Sequence, residues 1–225
     1  MNISVIEFFV SEVNPKEFSN KKVLEVGSRY INGSIRPIVE RLLNPKEYIG
    51  IDIQPGKFVD IILPAENLVD RFGKNAFDVI IALELLEHVK DYKLVIENMK
   101  EVLRPNGFVY ISTRSYGFPY HGYPYDFWRY EINDMENLFA DFEVIALKND
   151  PEAKGVFLKA KKPQNYKKVD ISDYKLYSIL LGKRTDKIVK EKDCSLFRRL
   201  LINTIYQNEN PTILFRVLRK IFKLI

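Results

Sequence analysis

The stretch that decides the fold is VLEVGSRYINGS, residues 23–34. Its first four residues are mostly apolar and predict a strand, and the apolar spacing that follows predicts a helix over residues 34–43. Between them, Gly27 permits another group to approach the backbone closely, and Gly33 can take a positive φ just before the helix. A strand, a glycine-containing turn and a helix in this order form the start of a βαβ unit.

The same alternation continues along the chain. Helices are predicted at 89–103 and from about residue 132. Further strands are predicted at residues 48–52, 59–62, 77–82, 108–112, 142–147 and 156–160. The last two are close enough in sequence to pair as an antiparallel hairpin. We therefore predict an α/β fold: a Rossmann-like, doubly wound, mostly parallel seven-stranded sheet with an antiparallel C-terminal hairpin and a helical C-terminal extension.

The chain divides into three predicted parts. Residues 1–20 carry an N-terminal helix, residues 21–162 form the α/β domain, and residues 163–225 form a basic helical extension. Pro163 marks the second boundary. Within the extension, helices are predicted near residues 173–181, 195–206 and 211–224.

Charge is distributed unevenly between these parts. Residues 1–160 hold 19 Lys and Arg against 24 Asp and Glu, whereas residues 161–225 hold 16 against 6. Because residues 1–160 carry a net negative charge, they are poorly suited to bind the phosphate backbone of a nucleic acid. Nucleic acid is therefore not an expected partner. In the last two predicted helices, basic residues lie opposite an apolar stripe. That pattern fits docking on the domain, dimerisation, or peripheral contact with an anionic membrane surface.

Composition narrows the cellular setting. The only cysteine, Cys194, cannot form a disulfide within the chain or a metal cluster, and it fits a reducing compartment. No apolar run is long enough to span a bilayer, and the N-terminus lacks the basic segment of a secretory signal. We expect a cytoplasmic protein, with peripheral contact at the inner membrane surface as an open alternative.

Two acidic residues in the first strands indicate the kind of ligand. Glu25 lies inside the first strand, which argues against a phosphate site and for a ligand that bears a cation. Asp52 ends the second strand, where a carboxylate can accept hydrogen bonds from a ribose diol. The glycine spacing differs from Gly-x-Gly-x-x-Gly, so a dinucleotide pyrophosphate fits the first turn less well. Together these features predict a nucleoside site.

Five motifs in register carry a resemblance to a known family. They are, in order, VLEVG at 23–27, YIGID at 48–52, FDVI at 77–80, LELLEHV at 83–89 and LRPNGF at 103–108. Over about residues 20–160 the chain resembles the class I S-adenosylmethionine-dependent methyltransferases of the methyltransferase-11 type. The resemblance implies S-adenosylmethionine as the cofactor.

The resemblance also assigns roles around the cofactor. It implies that Glu25 and Gly27 lie along the methionine part and that Asp52 takes the ribose hydroxyls. Residues 63–68 would flank the adenine, where Pro64 stands in place of the family's usual aspartate, so that Glu66 or backbone alone would meet the adenine amino group. The candidate cofactor-binding residues are Glu25, Gly27, Ser28, Gly33, Asp52, Ile53, Ala65, Glu66, Leu83 and Glu84.

The substrate side is expected in two loops after strands. The two histidines, His88 and His121, both fall there, and His121 belongs to an aromatic segment, residues 117–130. Such a segment suits a lid over a flat or sugar-like substrate, or alternatively an aromatic loop packed over the sheet end. The candidate substrate-binding residues are Tyr123, Trp128 and Arg129, the last with surface pairing to Glu131 or Asp134 as an alternative. No Asp, Glu and His cluster is evident, so no metal is expected.

Methyl transfer asks mainly for positioning and exclusion of water. A hydroxyl acceptor also needs a base, for which histidine is suited. We predict O-methylation of a small molecule or saccharide, with His121 as the base, Asp126 orienting it, and His88 as the second choice. Three alternatives remain: a nucleotide-binding oxidoreductase or epimerase, a non-catalytic adaptor that uses the basic helices, and a nucleic-acid methyltransferase.

Overall fold

A computed structural model describes residues 2–121 and 126–190 of the chain. The helices are α1 Ile3–Glu12, α2 Pro15–Phe18, α3 Arg36–Ile38, α4 Leu68–Phe72, α5 Tyr92–Val102 and α6 Ile132–Leu138. A π-helical turn, Val39–Leu43, continues α3, and 3-10 turns span Ala65–Asn67 and Leu86–His88. The strands are β1 Lys22–Val26, β2 Glu47–Asp52, β3 Ile61–Ile62, β4 Phe77–Leu83, β5 Leu103–Arg114, β6 Trp128–Arg129, β7 Glu143–Asn149, β8 Gly155–Lys161, β9 Leu176–Ser178 and β10 Lys183–Thr185.

The main sheet has seven strands in the order β3-β2-β1-β4-β5-β8-β7. The five strands from β3 to β5 are parallel to their neighbours. The last two, β8 and β7, are antiparallel and form the hairpin at one edge. This arrangement confirms the predicted fold class. The strand order changes direction at β1 and β4, and in such sheets ligands bind at the carboxyl ends of the strands at this point.

Two apolar layers cover the sheet. Successive side chains of a strand point to opposite faces, and β4 accordingly contributes Val79 and Ile81 to one layer and Ile80 and Ala82 to the other. The first layer also contains the buried residues of α1, which confirms the predicted N-terminal helix. The β4 strand is thus buried on both faces, as its uniformly apolar sequence predicts.

The helix predicted near residues 173–181 is wrong. This segment forms β9, which pairs with β6 and with β10 in a three-stranded antiparallel sheet. In β9, Leu176 and Ser178 are buried while Tyr177 between them is partly exposed, an alternation typical of a strand. Gly182 takes a φ of 68° in the turn that leads to β10. Residues such as Leu176 and Val189 join the core of the main domain.

Two element starts also differ from the prediction. The helix predicted from residue 89 starts at Tyr92, because Val89 is extended and the Asp91 side chain accepts a hydrogen bond from the backbone N–H of Leu94. The strand predicted from residue 108 starts at Leu103. Asn106, with a φ of 64°, lies in an irregular part of that strand, where the pairing between β4 and β5 shifts register.

The helices predicted at 195–206 and 211–224 lie outside the described residues, and the dimerisation and membrane-contact hypotheses based on them stay predictions. Among the residues that the structure describes, no helix combines the length and the apolar character that crossing a membrane requires.

Candidate active site

The carboxyl ends of β1, β2 and β4 border a cavity of about 1030 Å³. It lies where the strand order changes direction, as expected for a ligand site in an open parallel sheet. Eight of the candidate site residues line it: Gly27, Asp52, Ile53, Ala65, Glu66, Glu84, His88 and His121. The first five form what we call the Asp52 end. His88 and His121, with Glu87 and Asp126 behind them, form the histidine end.

Backbone geometry shapes the Asp52 end. Gly27 has a φ of 80°, and a Cβ added there would lie 3.0 Å from Cδ1 of Leu85. The position therefore suits glycine both in conformation and in space. Asp52 ends β2, and its Oδ1 accepts a hydrogen bond of 3.0 Å from the backbone N–H of Gln54. This contact orients the carboxylate at the cavity wall.

Glu25 does not line the cavity. Its side chain is almost completely buried on the other face of β1, where its Oε2 accepts a hydrogen bond of 2.7 Å from the hydroxyl of Tyr48. Burial raises the pKa of Glu25 to about 7, against the smaller opposing effects of Tyr48 and Arg36. The predicted contact with the methionine part of a cofactor is therefore not formed by the side chain in this arrangement.

Three more candidate cofactor residues do not line the cavity. Ser28 is buried and its Oγ has no hydrogen-bond partner. Gly33 has a φ of 157°, close to extended, because α3 begins at Arg36 rather than at the predicted Ser34. Leu83 is buried in the core. These residues shape the backbone near the site without lining it.

An ion-pair network lies at the carboxyl ends of β4 and β5. Glu84 has a left-handed backbone with a φ of 57°, an uncommon conformation for a residue other than glycine and one that is enriched at functional sites. Its carboxylate pairs with Arg114 and accepts a hydrogen bond of 2.8 Å from Ser112. Arg114 also pairs with Asp150 at 3.3 Å. Arg114 lines the cavity but was not among the site residues predicted from the sequence. Its position at the carboxyl end of β5 could have indicated that it belongs to the site.

At the histidine end, the structure brings together the three predicted catalytic residues. Nδ1 of His121 lies 2.9 Å from Oδ2 of Asp126, and the rings of His121 and His88 are 4.8 Å apart between centroids. Burial favours a raised pKa for Asp126, but the hydrogen bonds from Arg129 and His121 outweigh it and lower the pKa to about 2. Asp126 is therefore a buried carboxylate that orients His121.

The predicted substrate contacts of Trp128 and Arg129 are not formed, since both side chains are 1% exposed and neither lines the cavity. Arg129 donates to both oxygens of Asp126 and to the carbonyls of Phe118 and Pro119. Its pairing partner is thus Asp126 and not Glu131 or Asp134.

Trp128 likewise holds the loop from within the core. Its Nε1 donates a 3.0 Å hydrogen bond to the carbonyl of Val89. For this residue the alternative interpretation, an aromatic loop packed over the sheet end, is correct. The remaining substrate candidate, Tyr123, lies outside the described residues.

Glu87 is a residue that the sequence analysis missed as a candidate. Its side chain is fully buried, Oε2 accepts a hydrogen bond of 2.9 Å from Thr113, and Oε1 has no hydrogen-bond partner. Ligand atoms of Glu87, His88 and His121 lie within 4.8 Å of one another. The expectation that no such cluster exists is therefore wrong. The adjacency of Glu87 and His88 in the sequence could have indicated part of this cluster. The approach of His121 to these two residues depends on the fold.

With the fold and the cavity described, comparison with known proteins identifies the family. A family model described as "Methyltransferase domain" matches residues 4–148. The chain belongs to this methyltransferase family. This match confirms the predicted class, a class I S-adenosylmethionine-dependent methyltransferase, and its predicted cofactor. It does not support the alternative of a nucleotide-binding oxidoreductase or epimerase.

Solved methyltransferases share the fold. An S-adenosylmethionine-dependent methyltransferase from Mesorhizobium loti matches with a TM-score of 0.55 at 12% identity, over 71% of this chain and 98% of that chain. The 1,6-didemethyltoxoflavin-N1-methyltransferase of Burkholderia thailandensis, solved with 1,6-didemethyltoxoflavin and S-adenosylhomocysteine, matches with a TM-score of 0.53 at 15% identity, over 72% and 77%. At these identities the likeness shows the fold alone.

Curated relatives match over shorter stretches. The ubiquinone biosynthesis O-methyltransferase of Chelativorans sp. (strain BNC1) is 43% identical over 49 residues, which are 22% of this methyltransferase and 19% of that protein. The highly reducing polyketide synthase PKS6 of Gibberella zeae is 28% identical over 144 residues, covering 53% of this chain and 5% of that protein. The chain thus spans about a fifth or less of the length of these relatives.

Proposed function

We propose that this methyltransferase moves the methyl group of S-adenosylmethionine to a hydroxyl group of a small molecule or saccharide. The observation that carries the proposal is one continuous cavity with Asp52 and Gly27 at one end and His88 and His121 at the other. Such a cavity can hold a nucleoside cofactor and an acceptor side by side. The likeness to ubiquinone biosynthesis O-methyltransferases, although short, favours oxygen as the methylated atom.

In this proposal the cofactor occupies the Asp52 end. Asp52 accepts hydrogen bonds from the ribose hydroxyls, a role suited to a carboxylate at a strand end. Leu63 and Ala65 provide an apolar surface for the adenine, and Glu66 lies beside it at the cavity wall. Gly27 leaves room for the methionine part to pass close to the backbone. The sulfonium then lies toward Glu84 and the histidine end.

The acceptor occupies the histidine end. Methyl transfer proceeds in line from sulfur to the acceptor oxygen, so holding the two groups at about 3 Å and excluding water provides most of the acceleration. A hydroxyl oxygen must also be freed of its proton. His121 is our candidate for this role, a choice supported by its hydrogen bond to Asp126 through Nδ1 and by its position in the cavity lining. His88 borders the same space.

Calorimetric titration tests the cofactor half of the proposal. Wild type should bind S-adenosylmethionine and S-adenosylhomocysteine. Asp52→Ala should bind both at least about tenfold more weakly, because each lost hydrogen bond to a charged group costs roughly 1.5–3 kcal/mol. Asp70→Ala, on the exposed side of α4 and away from the cavity, is the matched control and should bind like wild type. Equal affinities of wild type and Asp52→Ala would contradict the assignment.

The acceptor class is tested with a labelled cofactor. Purified protein and methyl-labelled S-adenosylmethionine are offered to panels of saccharides, phenols and amines, and the methylated atom is identified by mass spectrometry. We expect label on hydroxyl oxygens, reduced in His121→Ala. Methylation of amines alone, or of RNA or DNA in place of small molecules, would overturn the O-methylation proposal while leaving the enzyme class in place.

A further inference from the structure

We infer that Glu87, His88 and His121 bind a divalent transition-metal ion, and that this ion holds the acceptor hydroxyl. The second half of the inference rests on the proposed O-methylation, whereas the first half does not. In this arrangement His121 is a ligand of the ion, and it does not act as the base that takes the proton of the acceptor.

The geometry is the first support. Ligand atoms of the three side chains lie within 4.8 Å of one another, in a cluster of one buried carboxylate and two imidazoles. Metal–ligand bonds of about 2.1 Å at tetrahedral angles place donor atoms roughly 3.4 Å apart, so the side chains close by about an ångström or more when the ion binds. His121, whose side chain is 33% exposed at the cavity rim, has room for this movement.

The unpartnered oxygen of Glu87 is an independent support. This side chain is fully buried, and Oε1 has no hydrogen-bond partner, although it lies 4.0 Å from Nε2 of His88. A buried carboxylate oxygen without a partner is costly, because its solvation is lost and nothing replaces it. A bound cation would satisfy this atom. The other oxygen, Oε2, accepts from Thr113, which holds the carboxylate in place.

Surrounding contacts leave the ligand atoms oriented for a metal. Oδ2 of Asp126 accepts a hydrogen bond from Nδ1 of His121, which places the proton on that nitrogen and leaves the lone pair of Nε2 for an ion. A carboxylate behind a metal-ligating histidine is a common outer-shell arrangement, and so is a hydrogen bond to the ligating carboxylate, as from Thr113. Both outer partners are buried.

Two arginines near the site do not oppose an ion at this place, since each of them is matched by carboxylates. Arg129 pairs with Asp126, and Arg114 pairs with Glu84 and Asp150. The ion would also lie next to the Glu87 carboxylate, whose negative charge neither arginine matches. The local charge therefore accommodates a divalent cation.

The ligand set indicates the kind of ion. Two histidines and one carboxylate are typical of catalytic zinc and of non-haem iron(II) sites, whereas magnesium and calcium prefer oxygen ligands alone. Three protein ligands leave at least one coordination position open. Because His88 and His121 line the cavity, this position faces the acceptor.

The ion would act as a Lewis acid without a change of oxidation state. The acceptor hydroxyl coordinates through oxygen, and its lowered pKa releases the proton to water. A lone pair of that oxygen then forms the bond to the methyl carbon while the sulfur–carbon bond breaks, its electron pair staying on sulfur. The products are the methyl ether and neutral S-adenosylhomocysteine.

Metal binding is tested on the full, untagged chain after treatment with a chelator. An affinity tag of histidines must be absent, because the chain contains only two histidines and both belong to the proposed site. Zinc and cobalt(II) are titrated by calorimetry, and cobalt(II) also by its visible absorption. We expect one ion per chain and a cobalt spectrum of a site with nitrogen and oxygen ligands.

Variants show whether these residues are the ligands. Loss of an outer-shell partner typically weakens metal binding roughly 10–100-fold. Asp126→Asn should weaken zinc binding within that range. His121→Ala should weaken zinc binding further, because it removes a ligand. Glu97→Gln, whose carboxylate pairs with Lys168 outside the cavity, is the matched control and should bind zinc like wild type. Folding of each variant is checked by thermal unfolding. Glu87→Gln adds the carboxylate test if it stays folded.

Several outcomes would overturn the inference: no stoichiometric zinc or cobalt binding to wild type, unchanged binding in His121→Ala, or tight binding of magnesium in preference to zinc. Failure of this inference is distinguishable from failure of the proposed function. Cofactor binding and O-methylation that persist in chelator would refute the role of the ion in holding the acceptor and keep the function. Zinc binding without any hydroxyl methylation would keep the site and refute the function.

Discussion

At the Asp52 end of the cavity Gly27 and Asp52 lie at or just after the carboxyl ends of parallel strands, whereas at the histidine end His121 is held by hydrogen bonds and ion pairs with buried side chains. Gly27 and Asp52 follow from where β1 and β2 stop. His121 owes its place to Asp126, which in turn is held by Arg129. The Asp52 end therefore depends on backbone geometry, and the histidine end on buried charge.

The two ends should consequently respond to different changes. Loss of a buried charge partner is among the most destabilising substitutions, whereas a change of backbone conformation at one residue costs less. Two buried carboxyl groups, Glu25 outside the cavity and Asp126 at the histidine end, also differ in pKa. The pKa of Glu25 is raised to about 7, and that of Asp126 is lowered to about 2.

The largest effect is expected from Arg129→Ala. It leaves Asp126 as a buried carboxylate without its main partner and removes the bonds to the carbonyls of Phe118 and Pro119. We expect a loss of about 3–5 kcal/mol in the free energy of unfolding, measured by denaturant titration. Arg104→Ala, which breaks a partly exposed pair with Asp78, should cost less than about 1 kcal/mol. Similar losses in both variants would show that burial adds nothing to the contribution of the Arg129–Asp126 pair.

An effect of about 3 kcal/mol is expected from the pH dependence of Glu25. Below about pH 4.5 the Glu25 carboxyl is protonated in both the folded and the unfolded protein. As the pH rises toward 7 the unfolded chain loses this proton first, so the free energy of unfolding falls by about 3 kcal/mol. Glu25→Gln should lack this fall and be the more stable protein at pH 8.

Denaturant titrations between pH 4.5 and 8 measure this difference. The control is Glu47→Gln, whose carboxylate forms an exposed pair with Lys22 and which should keep the fall seen in wild type. A Glu25→Gln variant with the same pH dependence as wild type would show that the Glu25 carboxyl is not the source.

The smallest effect is expected from Gly27→Ala. The residue has a φ of 80°, and the new Cβ would lie 3.0 Å from Leu85. A left-handed conformation costs an L-residue about 1–2 kcal/mol, and here the cofactor should also bind more weakly. Gly73→Ala separates the two causes, because Gly73 has a similar φ of 75° with nothing within 4 Å of the added Cβ. Equal cofactor affinities in both variants would contradict a role for Gly27 in leaving room for the cofactor.

Much of the sheet could be predicted because the information is local. Period-two alternation and uniformly apolar strands identified all seven strands of the main sheet, and the close spacing of the last two predicted their hairpin. Prediction failed at residues 173–181, where a short segment fits helix and strand patterns about equally well. Pairing with β6 and the turn at Gly182 settle the matter, and both depend on segments distant in sequence.

The site was predictable in its residues but less so in their roles. Asp52 and Gly27 line the cavity as expected because strand ends converge at one edge of a parallel sheet. Glu25 does not, because alternation along β1 points it to the opposite face, where Tyr48 meets it. Arg129 and Trp128 proved to be buried supports, a distinction that residue type does not make.

The amino-acid sequence was sufficient to predict the strands of the main sheet, the family and the position of the cavity, because these follow from short-range periodicity and from motifs at strand ends. It was not sufficient to show that Glu87, His88 and His121 meet, or that Glu87 keeps an oxygen without a partner. That meeting requires His121, which follows β5 in the chain, to lie against the residues that follow β4. The direction of each side chain is then set by packing and by buried ion pairs, which involve the whole domain at once.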